Sequence, residues 1–359
     1  MPGSRGSARG TGNAVSEEAP APGAVRGEVA RLADPRRERI ARLRQLIIER
    51  FGPHVLLDWQ CVPATCAPPL SDPQRVLPGD PRVLPTGLLG LDLVLGGGLP
   101  RGRLIELAGP PYSGKRTLAG WFVRAAQRSG GWVAYLDAAH SADFDRLHCW
   151  GVDVLDLLVA LPQSVTEALE LARLLVLSGS LDLVVLDLPP HLASRSELAR
   201  GLRQLRPLLR GTPAAFVVVR DRTHEPALTA AQVRLRLEPL AQLGRVGPFA
   251  APGLPDGLRV RLRLERSPRW PPRDPPVPVE LRFREGVCVA LERIDLALES
   301  GLIAQHPLGL LFAETVLGRT REAAAARLAE DPVLWSRLEE EIRARWVSGD
   351  RSSTRTLAR

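Results

Sequence analysis

The stretch RLIELAGPPYSGKRTLAGWFVRAAQR (residues 103–128) restricts the possible folds more than any other part of the chain. An apolar run ends at Gly109, four residues follow, and Gly114-Lys115 opens a segment with helical spacing. In that order of strand, loop and helix, a G-x-x-x-x-G-K pattern can work. The backbone N–H groups of the loop and the helix N-terminus then surround phosphate oxygens. The remaining pattern fits the same architecture. GWVAYLDA (131–138), DLVVLDL (182–188) and AAFVVV (214–219) are near-continuous apolar runs, with helical stretches at 115–128, 164–178 and 196–210. Buried strands alternating with helices imply a parallel sheet covered on both faces. VRLRLEPL (233–240) and LRVRLRLER (258–266) alternate strictly and are expected to extend that sheet as half-exposed strands.

The loop departs from its pattern at one place. Arg116 stands where a hydroxyl normally ligates magnesium, although Thr117 offers a hydroxyl one position later. Of 48 Lys and Arg residues, the single Lys is Lys115 and the rest are Arg. A bias toward Arg explains the others. The exception falls where a phosphate loop needs a slender ammonium, which argues that the loop still has a task. Two readings stand. In one, Gly109, Pro110, Pro111, Tyr112, Ser113, Gly114, Lys115, Arg116 and Thr117 form a nucleotide-binding loop. In the other, the loop serves the fold and its pocket is empty. Asp187, ending the strand DLVVLD, is either a magnesium ligand acting through water or the cap of a strand end. Magnesium is the weaker expectation, because its direct ligand is missing.

Residues 1–35, rich in Gly, Ala, Pro and Ser, are expected to be a disordered tail. An N-terminal helix and linker occupy 36–76, with Ile40, Leu43, Ile47 and Phe51 at helical spacing and Gly52 as stop. The phosphate-loop core takes 77–286, and the run SPRWPPRDPPVPV (267–279) in it reads as a loop. A small C-terminal domain follows at 287–346, read as short helices. Its last helix starts at Asp331-Pro332 and lines up Trp335, Leu338, Ile342 and Trp346. Residues 347–359 form a basic tail. The four cysteines lack metal-ligand spacing and are expected to be incidental thiols. No apolar run approaches the roughly 20 residues of a bilayer span, and the first residues lack the apolar core of a secretory signal, so a cytoplasmic location and no membrane contact are expected. A net charge of +8 suits a polyanionic partner, whereas an aromatic content of 4% leaves few stacking platforms for single strands.

LPTGLLGLDLVLGGGLPRGRLIELAGPPYSGKRTL (84–118) resembles the bacterial RecA recombinase family. DAAHSADFDRLHCWGVD (137–153) aligns on the Asp-Ala-Glu-His segment of that family without gaps. ERIDLALESGLI and AEDPVLWSRLEEEIRARW look like its small C-terminal domain, and RIARLRQLIIERFG like its N-terminal helix, which docks on a neighbouring subunit. The resemblance implies an α/β, RecA-like P-loop NTPase core with a mainly parallel sheet, an N-terminal helix and a small C-terminal α/β domain. It also implies ATP as ligand, with Asp143 against the base, single-stranded DNA as partner, and a homo-oligomer or filament. The departures count equally. Ala139 replaces the Glu that orients the attacking water, and His140 beside it should point away. Arg146 replaces a stacking aromatic, and Arg220-Asp221 replace the Asn-Gln pair that senses the terminal phosphate. The segments after Asp187 and Val219, which are DNA-binding loops in the family, are shorter here. Arg195, Arg220 and Arg222 beside them are candidate DNA-phosphate contacts, with a solvated face as the alternative. His191 is taken as a loop residue. These features imply a diverged RecA-like protein of DNA recombination, repair and the SOS response to DNA damage, whose hydrolysis is weak or lost. Two alternatives remain: an accessory of error-prone translesion synthesis with a DNA polymerase partner, and an active DNA-dependent ATPase and strand-exchange recombinase.

Overall fold

The computed structural model describes residues 35–57, 80–189, 195–222, 226–244, 255–268 and 277–348. Among the described residues the first elements are helix α1 (Arg36–Phe51) and a 3-10 turn (Pro53–Val55). A two-stranded ribbon, β1 (Val83–Leu84) with β2 (Leu99–Pro100), brackets α2 (Leu89–Leu95). Strands and helices then alternate: β3 (Arg103–Gly109), α3 (Lys115–Arg128), β4 (Val133–Asp137), α4 (Phe144–Cys149), β5 (Leu157–Ala160), α5 (Val165–Leu177), β6 (Leu183–Asp187), α6 (Arg195–Leu209) and β7 (Ala215–Asp221). Next come β8 (Val233–Gly244), β9 (Pro255–Arg266), β10 (Val277–Arg282) and β11 (Gly286–Val287). The C-terminal part holds α7 (Val289–Glu299), β12 (Ile303–His306), β13 (Gly309–Phe312), β14 (Thr315–Gly318), α8 (Arg321–Glu330) and α9 (Pro332–Ser348).

Nine strands form one sheet in the order β11-β10-β9-β8-β3-β7-β6-β4-β5. From β8 to β5 every pair is parallel, and β8, β9, β10 and β11 continue it antiparallel. This is the α/β architecture that the alternation of apolar runs and helices predicts. The period of two sorts side chains to the two faces. Ile105 and Leu107 of β3 join the apolar cluster that includes Phe122 of α3, whereas Leu104 joins the one that includes Leu202 of α6. Glu106, between them, is fully buried in this strand.

Besides the short β1–β2 ribbon, three groups of strands are not legible in the pattern. β5 is four residues long and carries no alternation. β10 starts inside the Pro-dense run expected to be a loop. Its Pro278 pairs with Arg261 of β9, and β11 pairs only with Leu281 and Arg282. The proline therefore lies where there is one neighbour strand, which tolerates a missing N–H. Beyond Gly286, β12, β13 and β14 form a three-stranded antiparallel sheet among the helices. The last helix starts as expected: Asp331 Oδ1 accepts from Val333 N at 3.1 Å and Leu334 N at 3.0 Å.

Helix α1 packs on its own chain. Ile40, Leu43 and Ile47 are buried in the cluster that contains Trp132, Leu158 and Leu175. Arg36 Nη1 donates to Asp182 Oδ2 at 2.7 Å. The segment after the helix runs along the β5 edge, where Leu57 N donates to Val159 O at 3.1 Å and Leu161 N to Val55 O at 2.7 Å. Cys288 is a free thiol, but Cys149 is in a disulfide, which corrects the expectation of thiols throughout; its partner lies outside the described residues. Among the described residues, no helix is long and apolar enough to cross a membrane. Of the expected segments, residues 1–34, 58–76, 349–359 and His191 lie outside the described residues.

Candidate nucleotide site

The site lies at the carboxyl ends of the central strands, where open α/β sheets bind ligands. β3 ends at Gly109, and α3 begins at Lys115. Two glycines shape the turn. Gly114 has φ 83°, in the left-handed region that favours glycine, and a Cβ there would overlap the Leu281 side chain unless it moved. At Gly109, a Cβ would come within 2.9 Å of Leu237 O. The N-terminus of α3 has no side-chain cap and no acidic residue in its first turn. Its N–H groups and positive dipole end are therefore available to an anion. Tyr112, at φ 60°, stands 93% exposed at the tip of the loop, and the Ser113 hydroxyl is buried without a hydrogen-bond partner.

The two cations that open α3 are each matched by a carboxylate. Lys115 is 2% exposed, donates from Nζ to Pro110 O at 2.9 Å and is ion-paired with Asp221 at the end of β7. Burial pushes the lysine pKa down, against the pull of Asp221. Arg116 Nε donates to Asp187 Oδ2 at 2.7 Å, and Tyr135 Oη donates to the same oxygen at 3.2 Å. Asp187 is fully buried, which raises its carboxyl to about 6 despite the Arg116 guanidinium beside it. The sheet register sets this alignment: Gly109 is level with Asp221, and Asp137 with Asp187. Asp137 accepts from Ser141 N and Ala142 N, both at 3.0 Å, and so fixes the turn after β4.

The residues present suit the two implied ligands unequally. A nucleotide phosphate fits, because the cradle is made of glycine-dependent backbone and an uncapped helix start. Magnesium has less to hold it. It keeps near-octahedral oxygen ligation, the position after Lys115 is a guanidinium, and Asp187 Oδ2 is taken by Arg116 and Tyr135, which leaves only Asp187 Oδ1, buried without a hydrogen-bond partner. Among the described residues, no group of three or more His, Cys, Asp or Glu could hold a metal ion. Ala139, which the resemblance sets at the water-orienting position, brings no polar group. Its neighbour His140 turns away at φ 48°, with Nε2 3.2 Å from Pro162 O.

The other candidates are dispersed. Asp143 caps α4, accepting from Arg146 N at 2.9 Å, and its carboxylate also faces the Arg146 guanidinium at 3.4 Å. Arg195 begins α6, and its side chain lies outside the described residues. Arg220 lies 3.6 Å from the buried Glu106 and donates to Pro226 O at 3.1 Å. Arg222 is paired with Glu265 at 2.6 Å. Both arginines are thus committed within the chain, whereas Arg200 and Arg203 on α6 are exposed. The sequence reading misses two features, the Lys115–Asp221 pair and the burial of Glu106 among arginines. The available signal is a charge inside an apolar strand, which must find a partner when buried.

Comparison with known proteins places the sequence among its relatives. The family model for the RecA N-terminal domain matches residues 78–209. Protein RecA of Thermus thermophilus is 32% identical over 296 residues, covering 73% of this chain and 84% of that protein. Protein RecA of Rubrobacter xylanophilus is 32% identical over 283 residues, covering 72% and 82%. Among solved structures, a crystal structure of the RadB recombinase aligns with a TM-score of 0.46 and 24% identity, covering 57% of this chain and 98% of that one.

Proposed function

Because this chain belongs to the RecA family, we propose that it is a cytoplasmic nucleotide-binding protein of DNA recombination and repair whose cradle holds ATP without magnesium and barely turns it over. The residues from Gly109 to Thr117 would hold the phosphates through backbone N–H groups and the first turn of α3. Lys115 would neutralise the outer phosphates by exchanging Asp221 for them, and Asp143 would face the base. One observation carries the reading: Arg116 donates to Asp187 at 2.7 Å. A guanidinium is always charged and pairs strongly with carboxylates. Held there, it supplies the fixed positive charge that a metal would otherwise bring, and it occupies one oxygen of the carboxylate a metal would need. Hydrolysis also requires an oriented water, and Ala139 has no group to orient it. Binding and turnover of ATP, measured with and without single-stranded DNA, test the reading. Brisk turnover stimulated by DNA would favour an active strand-exchange enzyme instead.

A second reading, an accessory of error-prone translesion synthesis that works through contacts with a polymerase, is favoured by the commitment of Arg220 and Arg222 to Glu106 and Glu265. Arginines engaged in this way meet DNA phosphates only by exchanging partners. Absence of DNA binding at low salt, with co-purification of a polymerase, would select this reading.

A further inference from the structure

We propose that Asp221 decides which nucleotide the cradle prefers, by holding the ammonium that a terminal phosphate needs and so disfavouring a third phosphate. The inference rests on the nucleotide-binding reading above. The Lys115 ammonium is buried, donates to Pro110 O at 2.9 Å and is ion-paired with Asp221. β3 and β7 are parallel neighbours with Gly109 level with Asp221, so the carboxylate is fixed at the height where the loop begins. It belongs to the wall of the site.

In a loop of this type the lysine reaches the β- and γ-phosphates, while backbone N–H groups cradle the inner ones. A carboxylate in contact with that same ammonium lies within a few ångströms of the terminal phosphate. Like charges at such separations repel strongly when water is largely excluded. The inner phosphates, held by the loop backbone and the start of α3, are farther from it. The side chains around the cradle do not offset the extra charge. Lys115 and Arg116 face Asp221 and Asp187, two cations against two carboxylates, and Asp137 is level with Asp187 on the adjoining strand. A diphosphate therefore meets less repulsion than a triphosphate. Changing Asp221 to Asn removes the charge and keeps the shape.

The test compares affinities for ADP and ATP, measured calorimetrically in magnesium-free buffer, for the full chain and for Asp221→Asn. The unmodified chain should hold ADP about tenfold or more tighter than ATP, and the variant should gain about tenfold for ATP while changing little for ADP. ATP held as tightly as ADP by the unmodified chain overturns the inference without reference to any variant. An ADP-to-ATP ratio that Asp221→Asn leaves in place overturns it as well, even if the variant melts at a lower temperature. Should Asp221→Asn fail to fold, Asp221→Ser is measured in its place against the same ratio. If neither nucleotide binds to either protein, the nucleotide-binding reading fails and this inference fails with it. Normal ADP binding with an unaltered ratio removes this inference alone.

Discussion

Lys115 and Arg116 are adjacent, but their side chains serve different ends. Lys115 sits under the loop on Pro110 and Asp221, while Arg116 reaches across to β6. A ligand that binds only the folded protein stabilises it by RT ln(1 + [L]/Kd). Lys115→Ala should therefore abolish the rise in melting temperature that ATP produces, and a rise equal to that of the unmodified protein would refute the assignment. Arg116→Thr should make nucleotide binding respond to magnesium. Turnover should appear only when Ala139→Glu is added, because metal and water placement are separate requirements; a single-turnover hydrolysis assay on both variants decides this. The pair between Arg116 and Asp187 is legible in the sequence, since motif position and strand end bring the two residues to one corner. The pair between Lys115 and Asp221 is not. The apolar run ends at Val219, whereas the strand continues to Asp221, and only the parallel register with β3 brings that carboxylate to the lysine.

At the scale of elements, strong periodicity and long apolar runs are read correctly. α3 falls on 115–128 as expected, and α1 on 36–51. Short strands such as β5 and β12 carry no periodic signal, and β10 is hidden by its prolines. Nor does the sequence tell where α1 docks, because a buried apolar stripe fits any apolar surface. Here the stripe lies on the same chain. Ile47 is fully buried in it, so Ile47→Ala should cost about 2–5 kcal/mol of stability. The loss, read from denaturant unfolding, should be the same at all protein concentrations. A loss that vanishes on dilution would place the helix on a neighbouring copy. A second tie joins α2 to α7: Glu292 accepts from Gly90 N at 2.8 Å and Leu89 N at 3.1 Å. Burial pushes its carboxyl from 4.5 up to about 7, against the opposing effect of Arg293. A pKa raised by folding means that the folded state holds the proton more tightly. The contribution is thus fully present below pH 4.5 and is lost as pH rises through about 7. Relative to Glu292→Gln, the unmodified protein should lose stability across that window; parallel pH profiles of the two melting temperatures would contradict this.

For the whole molecule, a net charge of +8 carried almost wholly by arginine favours polyanions. Many of these arginines are tied to carboxylates within the chain, including Arg220, Arg222, Arg259 and Arg263. Arg200 and Arg203 on α6 are exposed and are the better placed to meet phosphates. Binding of single-stranded DNA should be electrostatic, with the log of affinity falling linearly with the log of salt. Replacing Arg200 and Arg203 by Ala should lower the slope by about 0.7 for each phosphate that is no longer neutralised. An unchanged slope would move the DNA to another face. The account as a whole rests on a cradle that keeps its phosphate-binding backbone while a guanidinium occupies the place of the metal. The most direct test is the melting temperature of the unmodified protein with saturating ATP, in EDTA and in magnesium. The account predicts the same rise in both. A rise that requires magnesium would contradict it, and Arg116 would then be a tolerated departure in a metal-dependent site.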